Sequence, residues 1–364
     1  MSSGARPRIL LAIESSCDES AVALFDPARG LTGEWINSQI ALHREYGGVV
    51  PELAVREHLA ALPLLLADAA KHDDWPAVQE IAVTVGPGLA GCLALGLSAA
   101  KALALSLDVP LAGVNHLRAH AWSPFIPLHE EWPDRFVERL ANLLPHAGLL
   151  VSGGNTALFV IHEDRRLEVL GGTIDDAAGE ALDKGAKLLG LDYPGGPQVE
   201  LLAREGDPAA FDFPRALPGR GDLNFSFSGL KTSLRYRVTG LGHEETLRRR
   251  TDLCASYQSA VLDVLVRKSS FAIEQTGARS FGLSGGVANN RALRDRLAAL
   301  AQREKLTFLP ALAKHTGDNA AMIAFAAWAD RSPPPSLPAV AWTIFPSLPL
   351  DAVPAATPEK SNNL

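Results

Sequence analysis

The chain has 364 residues, of which 47% are hydrophobic and 21% charged, and its formal net charge is −7. This composition is typical of a folded globular protein, and the acidic balance excludes a protein that coats nucleic acid with its whole surface. The length exceeds what one hydrophobic core usually supports, so two domains are expected.

The cysteines are three in number, at positions 17, 92 and 254, and none forms a Cys-x-x-Cys pair. An odd, sparse set favours a reducing compartment over a disulfide framework. The N-terminal residues contain no signal-peptide core, and no run reaches the roughly 18 uninterrupted apolar residues of a membrane span. The sequence therefore predicts a cytoplasmic protein without membrane contact.

The first predicted element is a β-hairpin with a polar turn. Apolar runs at residues 9–13 and 21–25 flank a turn that contains serines together with Asp18 and Glu19. Small hydroxyl groups and backbone N–H groups in such a turn can approach a phosphate, and the acids can orient a metal ion or water. The turn resembles the first phosphate loop of actin-like ATPases and sugar kinases, with a plain polar turn as the alternative.

An α/β layer is predicted next. Residues 81–85 form an apolar strand that ends at Gly86-Pro87-Gly88, and residues 90–107 form a long run of Ala, Gly and Leu typical of a closely packed helix. A helix that precedes this strand begins where Gly47-Gly48 and Pro51 interrupt the chain.

A histidine pair follows, because His116 and His120 are four residues apart and therefore share one face of a helix. Two imidazoles so placed can hold one metal ion if a third ligand completes the site. Two ordinary helical histidines are the alternative. Metalloprotease chemistry would need Glu directly after the first histidine, and Leu117 stands there.

The second half begins by repeating the opening pattern. Residues 124–145 are predicted to be an irregular insertion or lobe connection. Strand-like runs at 149–151 and 157–161 then flank the turn Ser152-Gly153-Gly154-Asn155-Thr156. Two phosphate hairpins, one per lobe, are what a duplicated actin-like fold contains.

The remaining segments are an acidic helix, two glycine-containing motifs and a basic cluster. Carboxylates recur at helical spacing between Asp175 and Asp183, which fits either a ligand-facing helix or a solvated one. Residues 283–294 predict a strand, a glycine turn and a helix start. A local basic cluster that can contact RNA phosphates, or form an ordinary charged helix surface, comprises Arg235, Arg237, Arg248, Arg249 and Arg250.

Taken in order, these motifs resemble the TsaD family of tRNA N6-adenosine threonylcarbamoyltransferases, formerly called O-sialoglycoprotein endopeptidases. The similarity extends from about residue 8 to residue 330, and the combination of motifs is specific although each alone is weak. The matching blocks are residues 13–20, 43–58, 115–120, 151–156, 174–197, 225–232, 283–294 and 316–324.

The fold implied by the resemblance is α/β and bilobal, the actin-like (ASKHA, duplicated ribonuclease H-like) fold. The expected parts are an N-terminal lobe at 8–115, a second lobe at 116–314 including the histidine-pair helix and the 123–146 connection, a C-terminal helix at 315–345 that returns to the first lobe, and a disordered tail at 351–364.

The site implied by the resemblance is a cleft with one divalent metal ion, ligated by His116, His120 and Asp318. This donor set suits both iron and zinc, and Fe²⁺ is favoured. Asp18 and Glu19 are the candidates for orienting water or taking a proton. The family's substrate-contacting positions fall on Leu150, Val151, Ser152, Gly153, Gly154, Asp183, Gly196 and Asn290.

The reaction implied by the resemblance transfers threonylcarbamoyl from threonylcarbamoyl-AMP to the N6 amine of the adenosine beside the anticodon, in tRNAs that read ANN codons. Partners of the TsaB and TsaE types are implied. The sequence departs from bacterial members at Asn155, where His is common, and in a longer 123–146 segment. An actin-like ATP-dependent small-molecule kinase and a non-catalytic paralogue are the alternatives.

Overall fold

The computed structural model describes residues 8–330 and 341–355. Contacts divide the chain into two compact units. Unit 1 comprises Met1–Ala41, Val49–Leu140 and Gly317–Leu364, and unit 2 comprises Leu42–Gly48 and Ala141–Thr316.

The sheet of unit 1 has five strands in the order β3-β2-β1-β4-β5. The first three are antiparallel neighbours, and β4 and β5 extend the sheet in parallel from β1. The strands are β1 (Ile9–Glu14), β2 (Glu19–Asp26), β3 (Gly30–Ser38), β4 (Val78–Gly86) and β5 (Leu111–Asn115).

The sheet of unit 2 has five strands in the order β10-β9-β6-β7-β8. Here β6, β7 and β8 are antiparallel neighbours, while β9 and β10 extend the sheet in parallel from β6. The strands are β6 (His146–Val151), β7 (Thr156–Ile161), β8 (Leu167–Gly172), β9 (Ser280–Ser284) and β10 (Thr307–Pro310).

The two sheets therefore have one topology, a three-stranded antiparallel meander followed by two parallel strands. This duplication confirms the predicted actin-like fold, and both predicted hairpins are present as β1–β2 and β6–β7.

Helices cover the sheet of unit 1. All six residues of β1 are buried because it is the central strand, and a strand covered on both faces is mostly apolar. Helix α2 packs against β2, α3 packs against β4, and α12 packs against β1 and β2. The helices here are α1 (Ile40–Arg44), α2 (Pro51–Ala69), α3 (Ala90–Leu107), α4 (His116–Trp122), α5 (Ile126–Glu131), α6 (Phe136–Leu143) and α12 (Ala320–Ala329). The chain passes from one unit to the other within α1 and again within α6.

The core of unit 2 is built around the long helix α10, which is buried along most of its length. Its neighbours in contact are α7, α8, α9 and α11. The helices of this unit are α7 (Ala178–Leu188), α8 (Gly195–Ala203), α9 (Ser228–Arg248), α10 (Arg250–Thr276) and α11 (Arg291–Arg303).

Two expectations about the middle of the chain are corrected. Residues 116–140 were expected in the second lobe but group with unit 1, because α4 follows β5 directly and packs against α12. The segment 124–145 was expected to be irregular, yet it contains α5, α6 and two short 3-10 helices.

The C-terminal segment also differs from expectation. A helix was expected over 315–345, whereas α12 covers Ala320–Ala329 and residues 341–345 are not α-helical. Trp342 is buried, and its Nε1 donates to the Leu111 carbonyl at 2.8 Å. The Asn115 side chain donates to the carbonyls of Pro349 and Ala352, so ordered structure extends past the expected start of the tail at 351. Residues 331–340 and 356–364, which include the rest of that tail, lie outside the described residues.

Helix α3 is the one helix among residues 8–330 and 341–355 that is long and apolar enough to cross a membrane. Length and composition are weak criteria, since core helices satisfy them too. In this chain α3 packs against α2 and β4.

Candidate metal centre and its surroundings

The histidine pair lies on α4, which begins immediately after β5. The Asn115 side chain caps this helix, because its Oδ1 accepts from the N–H groups of Leu117 at 2.9 Å and Arg118 at 3.3 Å. The abrupt strand-to-helix change places His116 in the first turn and His120 one turn later, and both are at least nine-tenths buried.

Asp318 completes a three-residue cluster with these histidines. Its Oδ1 lies 3.3 Å from His116 Nε2 and 3.1 Å from His120 Nε2. The ligand atoms of the three residues all lie within 4.8 Å of one another. All three residues belong to unit 1, although Asp318 and His120 are 198 positions apart in the chain.

The arrangement fits a divalent cation. Two imidazole nitrogens and one carboxylate oxygen, all converging, make a donor set that leaves further coordination positions for water or substrate. The electrostatics of the site also favour a cation. Burial lowers the pKa of His116, but the negative charges of Asp318 and Glu14 hold it well above its usual value. The carboxylates of Glu14 and Asp318 thus favour one positive charge beside them, which a metal ion can supply in place of that proton.

The pKa values of Asp318 and His120 are also shifted, both downward. Burial opposes ionisation of Asp318, but the charge on His116 and hydrogen bonds from both histidines hold its pKa far below the usual range. Burial holds the pKa of His120 below its usual value, despite the hydrogen bond to Asp318.

Glu14 supports His116 from the side opposite Asp318. This fully buried carboxylate lies 3.1 Å from His116 Nδ1, and it accepts from the Thr84 hydroxyl and the Ser16 N–H at 2.5 Å each. A proton on Nδ1 directed at Glu14 leaves Nε2 free as a ligand. Burial raises the pKa of Glu14, but the charge and hydrogen bond of His116 together with the Thr84 hydrogen bond give a net downward shift.

Sequence reasoning missed Glu14, Ser16 and Thr84 as supports of this centre. A signal was available for one of them, because Glu14 is the only acid in an otherwise apolar strand that is buried throughout. Burying a carboxylate requires a specific partner.

The turn between β1 and β2 brings Asp18 and Glu19 to Asp318. One carboxylate oxygen from each of these three residues lies within 4.8 Å of the other two. Burial, followed by the negative charges of Asp318 and Asp18, raises the pKa of Glu19 to about 10. This shift favours the protonated form of Glu19.

His58 of α2 holds the same turn in place. Its Nε2 lies 2.9 Å from the Cys17 carbonyl oxygen, and its Nδ1 lies 2.6 Å from Ser20 Oγ. Because a carbonyl only accepts, Nε2 carries the proton and Nδ1 accepts from the serine hydroxyl. Burial lowers the pKa of His58, which favours this neutral form.

The predicted substrate-contacting residues all lie in unit 2. Leu150 and Val151 are fully buried in β6, so only their backbone can face a ligand. The adjoining turn is closed by a 2.8 Å bond from the Ser152 N–H to the Asn155 carbonyl. Gly153 and Gly154 are exposed there, with no atom within 4 Å of an added Cβ.

Asp183 and Asn290 each organise the start of a helix. Asp183 Oδ1 accepts from the N–H groups of Gly195 at 2.8 Å and Gly196 at 3.0 Å, which orders the beginning of α8. Asn290 caps α11 by accepting from the Leu293 N–H, and its amide donates to Gln258. Their roles as ligand contacts stay predictions.

The sequence and the fold were compared with those of known proteins. A model of the TsaD family, described as tRNA N6-adenosine threonylcarbamoyltransferase, matches residues 30–325. The chain belongs to this family.

Relatives that carry the family's name support the assignment. The enzyme of Pelobacter propionicus is 46% identical over 319 residues, which are 87% of this chain and 90% of the relative. That of Burkholderia ambifaria is 48% identical over 328 residues, 87% of this chain and 91% of the relative.

Among solved structures, HypF of T. kodakarensis is similar with a TM-score of 0.59 at 16% identity. The match covers 88% of this chain but only 47% of HypF. At that identity the likeness concerns the fold alone, and it agrees with the duplicated topology.

Proposed function

We propose that this chain transfers a threonylcarbamoyl group to the N6 amine of an adenosine in tRNA. The observation that carries the proposal is family membership over most of the chain, at 46–48% identity to relatives that bear this name. These relatives do not favour the kinase or the non-catalytic paralogue. The finer assignment follows the family resemblance: the donor is threonylcarbamoyl-AMP, and the acceptor is the adenosine beside the anticodon in tRNAs that read ANN codons.

The proposed reaction is an acyl transfer. The N6 nitrogen attacks the carbamoyl carbon, a C–N bond forms, and the C–O bond to the phosphate breaks so that AMP leaves with the electron pair. The N6 amine loses one proton in the same process. When bound by His116, His120 and Asp318, a divalent ion supplies polarisation of the carbonyl and neutralises charge on the leaving phosphate.

The proposed roles of Asp18 and Glu19 follow from their position beside Asp318. Asp18 accepts the proton from N6, since it lies in the carboxylate cluster with Asp318. Glu19 donates a hydrogen bond, because burial beside Asp318 and Asp18 raises its pKa and favours the protonated form. Asp18→Asn should therefore slow transfer more than Glu19→Gln, because the latter keeps a donor.

The proposed metal is Fe²⁺, with Zn²⁺ as the alternative, since two imidazoles and a carboxylate suit either ion. Elemental analysis of protein purified without oxygen identifies the ion. His116→Ala and His120→Ala should both lose it, and full occupancy in both variants would exclude this centre.

The proposed setting is the cytoplasm, where tRNA is modified, with partners of the TsaB and TsaE types. The decisive experiment is transfer of labelled threonylcarbamoyl to unmodified tRNA, with the candidate partners added one at a time. Label should appear on an ANN-reading tRNA and not on one whose adenosine is replaced by guanosine. Absence of label with every partner present would contradict the proposal.

A further inference from the structure

Helix α9 has a packed half and an exposed half. Leu230 and Leu234 are buried in the core of unit 2. From Arg235 to Gly242, by contrast, every residue is exposed except Val238 and Leu241, which are half-buried. We call residues 235–242 the α9 arm.

The helix that carries the α9 arm begins at a turn held by hydrogen bonds to Asp175. The Asp175 carboxylate accepts from the hydroxyls of Ser226 and Ser228 and from the N–H groups of Phe227 and Ser228. These four bonds order the first turn of α9, so the exposed half extends from a fixed origin. At the other end, Gly242 interrupts the helical backbone with φ 74° and ψ 171°.

The arm is basic and its cations are not neutralised locally. Between Ser228 and Gly242 the chain has Lys231, Arg235 and Arg237 and no Asp or Glu. Neither arginine of the arm takes part in an ion pair among the described residues. A chain with a net charge of −7 gives a polyanion no general attraction, so such a local surface must supply it.

Two other arginines of the basic cluster, Arg248 and Arg249, have partners. Arg248 pairs with Glu245, and Arg249 lies 3.5 Å from Asp252 while its guanidinium covers the Phe211 ring at 4.2 Å. Their charge is partly neutralised within the fold, unlike that of the arm.

An aromatic side chain lies between the two free cations. Tyr236 is 76% exposed, more than any other large hydrophobic residue among those described. Successive residues of a helix are rotated by about 100°, so Arg235 and Arg237 flank Tyr236 on either side. Cations that flank an exposed ring suit a single-stranded nucleic acid, whose phosphates bind the cations and whose bases stack on the ring.

We propose that the α9 arm binds an unpaired loop of the substrate tRNA, with Arg235 and Arg237 on phosphates and Tyr236 stacked on a base. This inference rests on the proposed function and adds to it the surface that holds the RNA. An acidic protein would also be attracted to the arginines but would gain less from the exposed ring.

The test is binding of unmodified tRNA to the full chain, with its partners, over a range of salt concentrations. Arg235→Ala with Arg237→Ala should weaken binding and reduce the salt slope by about 2, or about 1 per lost phosphate contact. Tyr236→Ala should weaken binding about 5- to 150-fold, the range for one stacked base, while Tyr236→Phe should bind like the wild type.

The charge-matched control is Arg135→Ala with Arg303→Ala, which removes two exposed arginines elsewhere. It should leave affinity and salt slope close to those of the wild type. Thermal unfolding of every variant checks that the fold is intact.

Three results would overturn the proposal. The proposal is overturned if the arm variants bind tRNA with the affinity and the salt slope of the wild type. If Arg248→Ala, Arg249→Ala and Arg250→Ala together weaken binding in the same assay, those residues hold the RNA instead. Equal losses of tRNA affinity in the arm variant and in the charge-matched control would show that the effect comes from net charge and not from the arm. Unchanged tRNA binding with loss of a protein partner would identify a protein-binding surface instead.

These outcomes differ from failure of the proposed function. Binding is read without catalysis, so a wild-type chain that fails to modify tRNA contradicts the function, whatever the arm variants do. If the wild type does modify tRNA, only the binding comparison decides the role of the arm.

Discussion

Glu14 illustrates how one buried side chain can determine what its neighbour binds. It receives three polar groups, from Ser16, Thr84 and His116, and contacts no solvent. Its hydrogen bond to His116 Nδ1 leaves the opposite ring nitrogen to face Asp318. Affinity of the proposed centre should thus depend on a residue that does not ligate the ion.

Glu14→Gln is therefore expected to lower metal affinity by about 10- to 100-fold, the usual effect of losing a partner behind a ligating histidine. Metal titration of the stripped protein measures it. Thr84→Val is the matched control, because it removes one neutral donor to Glu14 but keeps the carboxylate. Equal affinities for the wild type and Glu14→Gln would show that Glu14 does not tune the centre.

Asn155 is a second single residue with a specific expectation. A neutral carboxamide oxygen is a weak metal ligand compared with imidazole, so Asn155 is not expected to ligate the metal. Asn155→Ala should keep the metal and lower single-turnover transfer by about 10²-fold, as for loss of one preorganised donor. Loss of metal with the fold intact would instead make Asn155 a ligand.

At the scale of elements, a buried ion pair joins α4 to the end of α12. Arg118 donates to both oxygens of Asp330, at 2.5 Å and 3.0 Å, and both residues are at most 4% exposed. Because α4 carries His116 and His120 while Asp318 directly precedes α12, this pair ties together the two elements that present the proposed ligands.

Arg118→Ala should destabilise the protein by about 3–5 kcal/mol, since it leaves a buried carboxylate without its main partner. Denaturant unfolding measures the change. Arg118→Met combined with Asp330→Leu should recover most of the stability, because an apolar pair needs no charge compensation. A double variant as unstable as Arg118→Ala would mean that packing, not the unpaired charge, causes the loss.

At the scale of the whole molecule, stability in acid should reflect a histidine buried as the neutral form. His146 is fully buried, with Nδ1 2.7 Å from Ser280 Oγ, and burial lowers its pKa from 6.5 to about 3. The unfolded chain takes up a proton below pH 6.5 while the folded chain does not. This contribution is therefore complete above pH 6.5 and is lost as the pH falls toward 3.

The expected slope from His146 is at most about 1.4 kcal/mol per pH unit across that window. The stability difference between the wild type and His146→Gln should shrink on acidification, as followed by denaturant unfolding between pH 7 and about pH 4. His243→Gln, at an exposed position, is the control. A difference independent of pH would show that the pKa of His146 is not lowered in the folded state.

Local pattern in the sequence was enough to predict α3, the two hairpins and the shared helical face of His116 and His120. Helix α3 lies where the Ala, Gly and Leu run predicted it, at Ala90–Leu107, and both hairpins have their turns at the predicted polar segments. The spacing of His116 and His120 predicted one helical face. These features depend on neighbours within a few residues, which helical and strand periodicity encodes.

Tertiary structure alone decided which distant groups meet. Glu14 reaches His116 across 102 positions, Arg118 reaches Asp330 across 212, and residues 116–140 join unit 1 rather than the second lobe. No local periodicity encodes such pairings. They arise because buried charges and polar groups must find partners once the sheets and helices pack, and the packing determines which partners are within reach.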